Sequence, residues 1–210
     1  MAQGTPVTPK RPKGLKPLNP AVKGIIDAAF QMHKQGNLAQ AEILYHQVLQ
    51  HEPGNPFSLY GVGAIAVARG EMEKAIPLLK KSMANGYHHE ASYTHLGIAL
   101  QSLNRLDEAL AVYRMGKKLD PRNPRFPCNT SVLLAQQGDP EAALKEVQKA
   151  IKLDPTFVPA FVNAGTFLQT LERYEEAAAM FEKVLQLDPD HDPARQALDA
   201  MRRLIVAKGI

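Results

Sequence analysis

Leu96, Ala99, Leu100 and Leu103 stand at i, i+3, i+4 and i+7, and Leu106, Ala109, Leu110 and Tyr113 repeat that spacing. Each set occupies one face of a 3.6-residue helix, so the segment reads as two amphipathic helices. Asn104-Arg105 lies between them as a turn, and Gly36-Asn37, Gly70-Glu71, Gly138-Asp139 and Glu172-Arg173 hold the same place elsewhere. The couplet recurs. Ala41, Ala75, Ala109, Ala143 and Ala177 are spaced by 34 residues. Small residues keep the period at Ala29, Gly63, Gly97, Ser131 and Gly165, and bulky ones at Tyr45, Leu79, Tyr113, Val147 and Phe181. Five units without insertion run over 22–55, 56–89, 90–123, 124–157 and 158–191.

Punctuation agrees with the pattern. Leu-Asp-Pro at 119–121, 153–155 and 187–189 ends a second helix, because proline cannot continue one. Pro53 closes the first unit in the same way, and Tyr87 stands there in the second. Asp139-Pro140 and Asp192-Pro193 read as an N-cap with proline at the first helical position. Pro127 is expected to delay the first helix of the fourth unit. Pro77 is expected near the start of a second helix, where a missing donor matters least. The small residues predict close helix approach, with Gly97 and Gly165 facing the alanine of the partner helix. One such pair cannot bury its own apolar surface, and stacking does so.

On these residues the chain resembles the tetratricopeptide repeat family, whose units are 34 residues long. The resemblance implies an all-α, right-handed α-solenoid of five helix-turn-helix units over 21–210. Residues 192–208 then form a capping helix, with Ala194, Ala197, Leu198, Met201, Leu204 and Ile205 on its apolar face. The resemblance also implies that first helices line a concave groove that holds other proteins. The sixth position of each unit is Asp27, Gly61, His95, Asn129 and Asn163. Arrays of the O-linked N-acetylglucosamine transferase type carry a ladder of asparagines there that grips an extended peptide, and Asn129 and Asn163 match it. An amide offers donor and acceptor and suits a peptide bond; bonding to neighbouring turns is the alternative. At the N-terminal end Ile26, Phe30, Phe57, Tyr60, Ala64 and Val67 are expected to face the groove, Phe30 being either partner site or core. The groove residues assigned are Phe30, Phe57, Tyr60, His95, Arg125, Asn129 and Asn163. The lysine and asparagine clamp of chaperone-binding members is missing, since Ile26 and Phe30 stand in its place.

Composition narrows the picture. Of 210 residues 45% are hydrophobic, enough for a folded core. The net charge of +4 comes from Lys10, Arg11, Lys13 and Lys16; the remainder carries 21 basic and 21 acidic residues. Pro6, Pro9, Pro12, Pro17 and Pro20 fall in the same stretch, so 1–20 is expected to be a disordered basic tail. The lone Cys128 excludes an internal disulfide and suits a reducing, cytoplasmic setting. It is either a small apolar filler or a thiol activated by Arg125. Gly61-Val62-Gly63-Ala64-Ile65-Ala66 spells a dinucleotide fingerprint but falls inside a helix rather than after a strand. His88, His89 and His95 lack metal-ligand spacing and read as an inter-repeat loop. No catalysis, cofactor, metal or small-molecule substrate is therefore expected. The favoured reading is an adaptor for an extended, largely apolar peptide. Its rivals are a substrate-presenting array of a glycosyltransferase-type system, and a tail-mediated tether to an anionic surface or nucleic acid, the latter not favoured. A second copy, joined through the C-terminal helix, is a further candidate partner.

Overall fold

The computed structural model describes Pro20–Gly209; the rest of the tail expected over 1–20 lies outside those residues. Eleven helices and no strand are found among them: α1 (Pro20–Lys34), α2 (Leu38–His51), α3 (Pro56–Ala68), α4 (Met72–Ala84), α5 (Glu90–Ser102), α6 (Leu106–Leu119), α7 (Arg125–Gln136), α8 (Pro140–Leu153), α9 (Val158–Thr170), α10 (Tyr174–Leu187) and α11 (Asp192–Lys208). None is long and apolar enough to cross a membrane. They form two compact units, whose boundary falls inside α6 between Val112 and Tyr113.

In the first unit α1 packs on α2 and α3 on α4, and α1 also touches α3, as α3 touches α5. In the second, α7 pairs with α8, α9 with α10, and α11 covers α10. The turns show why such different residues give the same pair. In all five, the N–H after the turn reaches back to the carbonyl five residues earlier: Asn37 to Met32, Glu71 to Ala66, Arg105 to Leu100, Asp139 to Leu134 and Arg173 to Leu168, at 2.9–3.0 Å. This bond closes a helix through one left-handed residue. Glycine supplies it at Gly36, Gly70 and Gly138, whereas Asn104 (φ 57°) and Glu172 (φ 56°) adopt it without glycine's freedom. Asn37, Asn55 and Asp139 then cap the following helices with their side-chain oxygens.

The core of the second unit joins Cys128, Val147, Phe161, Phe181, Val184 and Met201. In the first unit Ala29, Ala41, Tyr45, Val62 and Ile65 form one cluster, and Ile26, Val48, Phe57 and Tyr87 another. The glycines sit under side chains. A Cβ on Gly61 would lie 2.3 Å from the Tyr45 ring, and one on Gly165 2.8 Å from the Phe181 ring. Gly165 thus makes room for the aromatic of the partner helix, not for its alanine as the sequence suggested.

Three further expectations are corrected. Pro77 is the sixth residue of α4, well inside it; it is exposed, so water can solvate the carbonyl it leaves unpaired. The cap of α11 is His191, whose Nδ1 accepts from the Ala194 N–H at 3.1 Å, and Asp192 is the first helical residue. Pro20 belongs to α1 rather than to the tail. The start of α7 is shifted by a single residue from the register of α3, α5 and α9, to Arg125, and Pro127 lies inside its first turn.

Candidate peptide-binding faces

In the first unit α1, α3 and α5 carry the assigned residues. The Tyr60 hydroxyl on α3 lies 3.3 Å from Nδ1 of His95 on α5, their rings tilted at 35° with centroids 5.7 Å apart. Tyr60 also leans on Tyr87 at 4.9 Å, and Phe57 meets Tyr87 edge-on at 5.1 Å. His89 stacks on the same Tyr87 ring. Tyr60 and His95 are half-buried, whereas Phe57 is 9% exposed. Of the six residues expected to face a groove, Ile26, Phe57 and Ala64 are buried, and only Phe30, Tyr60 and Val67 keep partial exposure. Ile26 and Phe57 join the cluster with Val48 and Tyr87, on the side of their helices that is turned inward. Burial pushes the Tyr60 and Tyr87 hydroxyls well above the usual phenol range, and the Glu90 carboxylate adds to the shift. His95 belongs to a helix and not to an inter-repeat loop.

In the second unit Arg125 and Asn129 lie on α7 and Asn163 on α9. The Asn163 amide donates from Nδ2 to Sγ of Cys128 at 3.2 Å. The arrangement matches that of Tyr60 with His95, since each pair joins position five of one repeat to position six of the next. Arg125 is exposed, its guanidinium 5.8 Å from the centre of the Phe157 ring. Asn129 is half-buried beside the Tyr113 hydroxyl. Burial raises the Tyr113 pKa, Cys128 raises it further and Asn129 partly opposes them. At bonding distance that hydroxyl has no partner among the described residues, so the Asn129 contact is a weak approach.

The structure favours the filler reading of Cys128. The thiol is 3% exposed, and burial pushes its pKa up to about 11 against the Asn163 hydrogen bond and, more weakly, the Arg125 charge. A disulfide reagent at pH 8 is therefore expected to label the native protein no faster than it unfolds, and the urea-unfolded chain at once. Because the folded pKa lies above the unfolded one, the neutral thiol stabilises the fold fully below about pH 9, and this is lost as pH rises through 11. Fast native labelling at pH 8 would contradict the burial.

Sequence reading missed Cys128 as the acceptor for Asn163, Phe157 as the platform for Arg125, and Tyr87 as the ring against Tyr60. The signal was present as a spacing of 35, one repeat plus one residue, in both cross-repeat pairs. Among the described residues no group of His, Cys, Asp or Glu is placed to hold a metal ion.

Two family models, each described as tetratricopeptide repeat, match residues 94–156 and 134–201, together more than half of the chain. RNA polymerase II-associated protein 3 of Mus musculus is 28% identical over 140 residues, which are 67% of this chain and 19% of that protein. The probable UDP-N-acetylglucosamine–peptide N-acetylglucosaminyltransferase SPINDLY of Petunia hybrida is 29% identical over 145 residues, 69% of this chain and 15% of that protein. The chain thus spans under a fifth of the length of either relative. Among solved structures, YrrB, described as a TPR protein with an unusual peptide-binding site, superposes with a TM-score of 0.62 at 24% identity, covering 82% of this chain and 89% of YrrB. Paired helices with one shared turn, glycines seated under aromatic rings and these matches all agree: the chain belongs to the tetratricopeptide repeat family.

Proposed function

We propose that the chain is a non-catalytic interaction scaffold whose first helices grip an extended, largely apolar peptide, with 21–210 acting as the repeat domain. The observation that carries this reading is that the sixth register position of a first helix holds a half-buried polar side chain within each unit, His95 on α5 in the first and Asn129 on α7 with Asn163 on α9 in the second. Such side chains give directional bonds to a peptide backbone, while the partly exposed Phe30 and Tyr60 in the first unit and Phe157 in the second offer apolar contact. Support also comes from YrrB, whose similar fold carries a peptide-binding site.

The bond to Cys128 engages the Asn163 amide nitrogen and leaves its carbonyl oxygen for a ligand N–H. Peptides selected from a displayed random library and measured by calorimetry provide the test. Asn129→Ala with Asn163→Ala should weaken them about tenfold or more, each lost bond being worth about 0.5–1.5 kcal/mol. Thermal stability should change little, because these positions are not core. Undiminished affinity with a sharply lower melting point would make the asparagines structural and end the reading. A second reading, a substrate-presenting array for a glycosyltransferase-type system, is favoured by the SPINDLY likeness. It requires co-purification with such an enzyme.

A further inference from the structure

The first unit has an incompletely covered corner. Around the buried Ile26, Val48, Phe57 and Tyr87, the side chains of Val22, Ile25 and Tyr60 are only half-covered. Tyr60 and His95 present tilted rings there, and neither is fully buried. Glu90, at the start of α5, lies close enough to Tyr60 and Tyr87 to act on their hydroxyls. It forms no ion pair among the described residues, whereas Asp27 and Glu42 are matched by Lys23 and Arg69. The corner therefore combines aromatic faces, apolar side chains and a carboxylate with no ion-pair partner among the described residues.

The chain enters this corner directly. Pro20 opens α1, two residues before Val22. The preceding residues carry Pro6, Pro9, Pro12 and Pro17, the apolar Val7, Leu15 and Leu18, four cations and no acid. Proline-rich segments are recognised by aromatic-lined surfaces because their extended helix is already formed and little ordering entropy is lost. Lysine ammonium groups pair with carboxylates and sit over tyrosine faces. Reach is ample. Fourteen residues, 6–19, would span roughly 43 Å in that conformation at ~3.1 Å each, whereas successive packed helices are about 8–10 Å apart.

We propose that residues 6–19 dock on the Tyr60–His95 corner of their own chain and compete there with external peptides. The inference rests on the scaffold reading for its consequence, though not for the contact itself. A short tether gives an effective concentration of about 1 mM, so an intrinsic Kd near 100 μM would keep the corner about nine-tenths occupied.

The test uses the full chain and a full-length variant carrying Lys13→Glu, Lys16→Glu and Pro17→Ala. Amide and aromatic NMR resonances of Tyr60, Tyr87, Glu90 and His95 should shift between the two, with those of 158–205 unmoved. Raising the salt to 0.5 M should move the parent spectrum towards the variant's, because exposed charge pairs are screened. Library-selected peptides that shift the Tyr60 resonances should bind the variant several-fold more tightly. Tyr60→Ala in the parent should release the tail, read as sharpened resonances for residues 6–19. Spectra that superimpose at the four corner residues would overturn the proposal. Shifts that vanish on dilution would also overturn it, since a second copy would then be the occupant. If the tail fails to dock while selected peptides still depend on Asn129 and Asn163, the scaffold reading stands without this inference. If the tail docks and no selected peptide binds anywhere, the contact stands and the scaffold reading fails.

Discussion

Gly61→Ala should destabilise the first unit by about 2–3 kcal/mol, although alanine is the better helix former. In an open helix the change gains up to ~1 kcal/mol. Here the new Cβ would lie 2.3 Å from Cε2 and Cζ of Tyr45 and 2.7 Å from Cδ2. Carbon atoms do not approach so closely, so the ring or a helix must move. Tyr45 is 2% exposed and meets His33 edge-on, and it has little room to move. Overpacking of this kind typically costs ~1–3 kcal/mol, and the contact places Gly61 at the upper end. Gly24 is the internal control. Nothing lies within 4 Å of its added Cβ, so Gly24→Ala should leave stability unchanged or raise it by up to ~1 kcal/mol. Urea denaturation of both variants decides the matter. Tyr45→Leu in the Gly61→Ala background should cost less than the two changes added separately. Equal midpoints for Gly61→Ala and the parent would show that the ring yields freely.

Loss of α11 should have the larger effect on the second unit. Ala194, Leu198 and Met201 are buried against the cluster that contains Phe181 and Val184, and Leu204 and Ile205 add partial cover. Met201 is fully buried. Burial of each large apolar side chain is worth roughly 1.5–3 kcal/mol as an upper bound, and ordering the helix offsets much of that. Deleting 192–210 should therefore remove several kcal/mol and expose an apolar face prone to association. Met201→Ala is the graded version, expected to cost about 2–5 kcal/mol through the cavity it leaves. Because repeats feel mainly their neighbours, hydrogen exchange should quicken in α9 and α10 while α1 to α4 keep their protection. Unchanged protection in α10 after the deletion would show that α11 is dispensable to the fold.

The 34-residue period revealed the helix pairs because close packing imposes it on every unit. Alanine at 41, 75, 109, 143 and 177 is fully buried in all five. Which arc of a first helix remains open was not legible. Phe57 and Tyr60 are three residues apart and both aromatic, yet one is core and the other partly exposed. Both rings meet Tyr87, which lies 30 residues after Phe57 and 27 after Tyr60, beyond the second helix of the same repeat. Asn163 was legible as a polar residue of a first helix, but its sulfur acceptor was not, because a cysteine rarely signals a hydrogen bond. The imidazole cap at His191 was hidden by a better-known capping residue beside it.

The two cross-repeat pairs have a consequence for engineering. Tyr60 with His95, and Cys128 with Asn163, each straddle a repeat boundary. A helix pair is the module that folds, but the module that presents a polar rung is the junction between two of them. Transplanting a single repeat into another array would carry half of two rungs and complete neither. A graft meant to move binding specificity must therefore carry one repeat together with the first helix of the next, as α3 to α5 or α7 to α9 do, so that both partners of a rung travel together.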